Sequence, residues 1–96
     1  MTKDLKITYL KKSQKFLDKN KSSITENEVD ELIIKFVKKH FYSLDINIDY
    51  KALQGNLKDY FRIRKGNIRI IIQVVDNEII IEVIIEDIGF RGDIYK

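Results

Sequence analysis

The sequence predicts an α+β fold: an N-terminal strand, a helical hairpin, then a three-stranded antiparallel meander, forming one sheet with the helices packed on it. Three observations predict it. A capping-box sequence opens a long stripe of apolar residues at three- and four-residue spacing in the first half. The second half holds three β-rich runs separated only by KGN and DN. The chain has 96 residues, which suits one domain, 1–96, with a single modest core.

Residues 5–10, LKITYL, read as the first strand. From about Lys11 the spacing changes, and Leu10, Phe16 and Leu17 share a helical face that stops near Asn20. Thr25 is an N-cap, with Glu28 three residues on to complete a capping box. In this second helix Val29, Leu32, Ile33, Phe36, Val37 and His40 line one face. Its acidic start and its Lys38 and Lys39 near the end suit the helix dipole. The two helices form an αα-hairpin. Residues 43–58 read as irregular and polar, with a turn at Gly55. DYFRIR, IRIIIQVV and EIIIEVII are then consecutive strands of tight hairpins, the last ending at Gly89.

Composition narrows the function classes. There is no Cys, hence no disulfide framework and no thiolate metal site, in keeping with a reducing compartment. The start of the chain has no long apolar stretch, and IIIEVII is too short to cross a bilayer, so a cytoplasmic protein without a membrane partner is expected. Net charge is only +3, and its distribution says more. Residues 1–21 hold seven Lys and two Asp, residues 22–50 are acidic, and all four Arg lie in the last 35 residues. Arg offers a planar fork that matches phosphate, whereas Lys is a flexible point charge common on any solvated face.

Strand parity groups those Arg side chains. Tyr60, Arg62 and Arg64 share one face of their strand, and Arg69, Ile71, Gln73 and Val75 share one face of the next. A two-residue loop at Gly66-Asn67 sets Arg64 opposite Arg69; a loop at Lys65-Gly66 sets Arg62 opposite Arg69. Either register makes one cluster of Arg62, Arg64 and Arg69, while a three-residue loop breaks it. Like charges directly across a strand pair cost stability. A bound anion reverses that sign, and the bland alternative is a solvated charged face. With Asp76-Asn77 as the second loop, Arg69 lies opposite Ile84 and the chain leaves the sheet beside Arg69. Gly89 then permits the exit and Gly92 a second bend, bringing Arg91 and Tyr95 to the cluster.

Such a cluster suits phosphoryl chemistry, where negative charge builds on phosphate oxygens. Arg stays protonated, so another group must move a proton. Tyr95 can do so if neighbouring Arg charges lower its pKa, or it can stack on a base. His40 is the only His and sits on the apolar stripe, which reads as structural and excludes a two-His ribonuclease. Glu82 and Glu86 share a face of the last strand and read as a solvated edge. No P-loop and no GxGxxG pattern is present, and no cofactor is expected.

ITYLKKSQKFLDK, then KALQGNLKDYFRIRKGNIRIIIQVVDNEIIIEVI, then IGFRGDIY stand in an order that resembles the RelE/ParE superfamily of toxins from toxin–antitoxin pairs, its RelE branch above all. The resemblance covers nearly the whole chain. It implies a metal-independent mRNA endoribonuclease that acts on the ribosome, with a cognate antitoxin as partner. The RNA's 2′-hydroxyl would attack the adjacent phosphate. On this resemblance Arg69 stabilises the transition state, Arg62 takes a basic position of the preceding strand, and Arg91 and Tyr95 form the C-terminal pair. Arg64, Lys65 and Phe90 would line the RNA. The chain departs from the pattern where relatives carry His or Lys at Phe90 and a basic residue near Gly92 or Asp93. The alternative within the superfamily is a ParE-like toxin, which binds DNA gyrase and cleaves no RNA.

Overall fold

A computed structural model describes residues 3–55 and 58–92 of the chain. Five strands form one mixed sheet in the order β1-β5-β4-β3-β2. They are β1 (Asp4–Tyr9), β2 (Asp49–Ala52), β3 (Tyr60–Lys65), β4 (Ile68–Asp76) and β5 (Ile80–Phe90). Helices α1 (Lys11–Lys19) and α2 (Glu26–Tyr42) lie between β1 and β2 in sequence. The expected strand, two helices and meander are all present, with β3, β4 and β5 antiparallel. β1 joins the sheet at its edge, parallel to β5, so the sheet is mixed rather than purely antiparallel. No described helix is long and apolar enough to cross a membrane.

Local chemistry sets the helix ends. Thr25 Oγ1 accepts from Glu28 N–H, and the Glu28 carboxylate accepts from Thr25 N–H, closing the capping box. α2 ends at Ser43 in the left-handed region, where its N–H reaches Lys38 O. The α2 stripe buries Val29, Ile33, Phe36 and Val37 against Ile63, Ile70, Ile72, Val83 and Ile85 of the sheet. α1 adds Leu17 to that core, and Ile24 between the helices adds another fully buried side chain. Burial of this kind stabilises by roughly 1.5–3 kcal/mol per large apolar side chain, before entropy is counted.

Two features place the site. The first is the β3–β4 turn. Lys65 pairs with Ile68 and Arg64 with Arg69, so the loop is Gly66-Asn67, one of the two registers the sequence allowed. Gly66 has φ +59°, the conformation a two-residue hairpin needs and one that costs glycine nothing. The second is a β-bulge where Ile71 pairs with Asp87 but Ile72 with Ile85, leaving Glu86 as an extra residue. Ser13 Oγ and Leu10 N–H both donate to Ile85 O beside it.

The β4–β5 connection corrects the sequence-based register. The reversal falls at Glu78 and Ile79, not at Asp76-Asn77: Asp76 pairs with Ile81, and Asn77 N–H donates to Ile80 O. The Asn77 side chain decides this by accepting from both Ile79 N–H and Ile80 N–H. The shifted turn and the bulge together set Arg69 opposite Gly89 rather than Ile84. Gly89 is therefore a paired, buried strand residue, not an exit turn, and β5 runs through Phe90. The positive-φ glycine of this region is Gly92, at +92°.

Residues 43–58 are not wholly irregular. Asp49–Ala52 pairs with β3 as an edge strand. Its signal lies in the alternation Ile46, Ile48, Tyr50 half-buried against Asn47, Asp49, Lys51 exposed.

Candidate functional site

Cross-strand partners share a face, so the register sorts the charged side chains. One face carries the helices and the core. The other, free of helices, carries Asp49 and Lys51 of β2, Arg62 and Arg64 of β3, and Arg69 of β4. Arg64 stands directly across from both Asp49 and Arg69, and Arg62 across from both Lys51 and Ile71. The three strand arginines expected to cluster do lie together.

Asp49 is the member sequence reasoning missed, because β2 was read as loop. Its carboxylate accepts from Arg64 Nε at 2.6 Å and from Arg62 Nη2 at 3.4 Å. The Arg64 hydrogen bond holds the Asp49 carboxyl below its ordinary pKa; desolvation opposes it, and the Arg64, Arg62 and Arg69 charges add to the lowering. Arg62 is largely buried, and its Nε finds no acceptor among the described residues. A buried donor left unmet costs about 1–3 kcal/mol or more when charged.

Arg69 is 5% exposed, far less than a solvated Arg. Its Nη1 donates to Gly66 O at 3.2 Å and to Ile68 O at 3.4 Å, so the hairpin turn holds the guanidinium in place. Gly89, opposite, presents no side chain on that face. Arg91 is exposed, and its backbone N–H donates to Asn67 O at 2.7 Å. Arg91 therefore lies beside the same turn. Tyr95 and Asp93 lie outside the described residues.

Two expected RNA contacts sit elsewhere. Phe90 pairs with core residue Ile68, and its ring meets Phe16 of α1 edge-on at 5.2 Å. The bulge is the reason: it flips strand parity, putting Asp87 and Gly89 on the helix-free face and Ile88 and Phe90 on the helix side. Lys65 has the parity of the helix side and pairs with Glu28 of α2 at 2.9 Å. That ion pair is the chief cause of a lowered Glu28 pKa. The same bulge breaks the expected alignment of Glu82 with Glu86. Glu82 instead accepts from Thr8 Oγ1 at 2.7 Å, with Lys6 nearby.

His40 stacks on Phe36 with rings 9° from parallel and centroids 5.3 Å apart. Its Nδ1 lies 3.2 Å from Tyr50 Oη. It keeps an exposed edge, so it belongs to the stripe without being a core residue. It borders a cavity of about 360 Å³ at the far end of the sheet from the arginines, with Phe61 and Gln73 among its walls. A smaller cavity, about 250 Å³, lies between β2 and Arg62.

A copper-bound point mutant of a toxin from Helicobacter pylori matches with a TM-score of 0.68 and 25% identity, over 94% of this chain and 98% of that one. The YoeB/ParE toxin from Agrobacterium tumefaciens matches with a TM-score of 0.62 and 12% identity, over 90% and 98%. The chain has the RelE-like toxin fold. A chain of the RelB–RelE antitoxin–toxin complex from Methanococcus jannaschii also matches, with a TM-score of 0.52 and 21% identity over 93% and 95%. No family model and no curated protein matches the sequence. Within the RelE-like fold, the sheet face opposite the core gathers Arg62, Arg64 and Arg69 near the β3–β4 turn.

Proposed function

We propose that this RelE-like chain is the toxin of a toxin–antitoxin pair and cleaves mRNA on the ribosome. The observation that carries the reading is the Arg64–Arg69 pair, directly opposed, with Arg62 on the same face and Asp49 across from Arg64. A fold gains nothing from opposed like charges, whereas a phosphodiester between them turns repulsion into attraction.

In the reaction the RNA's 2′-oxygen bonds to the adjacent phosphorus and the bond from phosphorus to the 5′-oxygen breaks. The 2′-hydroxyl proton leaves to a base and the 5′-oxygen gains a proton. The products are a 2′,3′-cyclic phosphate and a 5′-hydroxyl. Arg69, fixed by Gly66 O and Ile68 O, and Arg62 supply positive charge to the phosphate oxygens as charge builds there. Arg91 adds a third cation beside the turn, and Tyr95 moves a proton or stacks on a base. In this scheme guanidinium groups supply the positive charge that a metal ion supplies in other nucleases. Among the described residues no His stands on this face, and the ribosome's part is to hold the RNA in line for attack. The antitoxin, the partner seen in the RelB–RelE complex, would hold the toxin inactive.

Expression in bacteria with and without Arg69→Ala tests the reading, with transcripts mapped by primer extension. Growth arrest with cut transcripts in the wild type, and neither in the variant, is expected. Arrest with intact mRNA and disturbed DNA supercoiling would assign the ParE-like activity instead.

A further inference from the structure

The cavity between β2 and Arg62 is lined by Lys51, Ala52, Leu53, Gln54 and Arg62. Lys51 stands directly across from Arg62, on the same face. Lys51 is exposed and makes no ion pair among the described residues. Arg62 is 12% exposed, and its buried Nε has no acceptor there. Asp49 gives its short contact to Arg64, at 2.6 Å, and only a long one, at 3.4 Å, to Arg62. Two opposed cations, one of them with an unmet buried Nε, thus line one cavity at the edge of the sheet, where β2 is the last strand among the described residues.

From this juxtaposition we propose that the cavity is a second anion subsite. It takes a phosphate of the RNA strand next to the one held at Arg64 and Arg69, and Arg62, which also adds charge to that first phosphate, stands between the two. The proposal rests on the RNA-cleaving reading above and adds a specificity to it: the site grips a strand of at least two consecutive phosphates. Chemistry selects an anion, since a neutral occupant would leave Lys51 and Arg62 repelling each other. Spacing selects a strand. Arg62 and Arg64 are two residues apart on β3, about 7 Å, so a chain laid along β3 meets them in turn. Gln54, with a donor and an acceptor, stands where a ribose or base edge would follow.

The test is an NMR titration at low salt that follows the Arg62 Nε–H signal. The probes are an RNA dinucleotide with one phosphodiester, a trinucleotide with two, and inorganic phosphate. The trinucleotide is expected to shift the Arg62 signal and to bind roughly tenfold tighter than the dinucleotide. Lys51→Ala should abolish that difference, leave dinucleotide binding unchanged and flatten the salt dependence of trinucleotide binding by about 0.7 of a log unit per log unit. Lys51→Arg should restore it. Equal loss for both RNAs in Lys51→Ala, or no loss for either, overturns the subsite while leaving the RNA reading standing. So does an Arg62 signal that moves with inorganic phosphate and not with the trinucleotide. A wild type that binds neither RNA overturns both.

Discussion

Asp49 and Arg64 face each other across β2 and β3, with Arg64 Nε 2.6 Å from Asp49 Oδ2. Arg64 in turn faces Arg69 across β3 and β4. One carboxylate thus sits at the end of a row of cations and competes with any incoming phosphate for Arg64 and Arg62. Asp49→Asn should bind a short RNA roughly threefold tighter, the gain set by an exposed ion pair of modest strength. Fluorescence anisotropy at fixed salt measures it, and weaker binding would show that Asp49 orients the arginines instead of competing for them.

The same carboxylate predicts a pH effect. Its folded pKa lies below the ordinary value, chiefly through the Arg64 hydrogen bond. The unfolded chain then binds the proton more readily than the folded one. The resulting stability is present above about pH 4 and is lost as pH falls through the folded value. Thermal melts at several pH values should show this acid-labile component in the wild type and not in Asp49→Asn. Because Asp49 is exposed, the component is small. Its persistence in the variant would place it at another carboxyl, such as Glu28, which is also held low.

Arg69→Lys keeps the charge and removes the planar fork that reaches the turn carbonyls. If Arg69 stabilises the transition state, transcript cleavage should fall by about 100-fold or more. Arg69 is buried, so the melting temperature must be measured beside the activity. A loss of cleavage explained by unfolding at the assay temperature would remove the evidence for a chemical role.

Phe90 packs on Phe16 from the helix side. Phe90→Ala should cost about 2–3 kcal/mol of stability, less than a fully buried Phe. RNA affinity of the folded protein should be unchanged. A selective loss of RNA binding with the stability intact would return Phe90 to the binding surface.

Thr25→Ala removes the α2 cap and should cost about 1 kcal/mol, or roughly 4–8 °C in melting temperature for a domain of this size. Cleavage by the folded protein should be unaffected, since α2 lies behind the sheet. This variant shows how much destabilisation alone changes the activity assays.

The parts of the fold legible in the sequence are those fixed by local chemistry. Thr25 and Glu28 announce the start of α2, and Gly66 marks the β3–β4 turn, which leaves two registers open and in both sets an Arg of β3 opposite Arg69. What escaped depends on longer-range or competing effects. Asn77 looked like a turn residue and is one, but its side chain moves the reversal two residues on. The Glu86 bulge reverses the parity of everything after it, which alternation of apolar residues alone does not reveal in a run as uniformly Ile-rich as β5. That one residue takes Phe90 away from the arginines and puts Gly89 beside Arg69. β2 escaped because a short edge strand with four polar neighbours reads as loop, and Asp49 escaped with it.

The central claim is that the arginine face cleaves mRNA held by the ribosome. Primer extension on a defined mRNA in a cell-free translation system tests it most directly, using the wild type, Arg69→Ala and a ribosome-free control. The account predicts cuts that need ribosomes and disappear in the variant. An intact message with the folded wild type, or identical cuts in the variant, would contradict it.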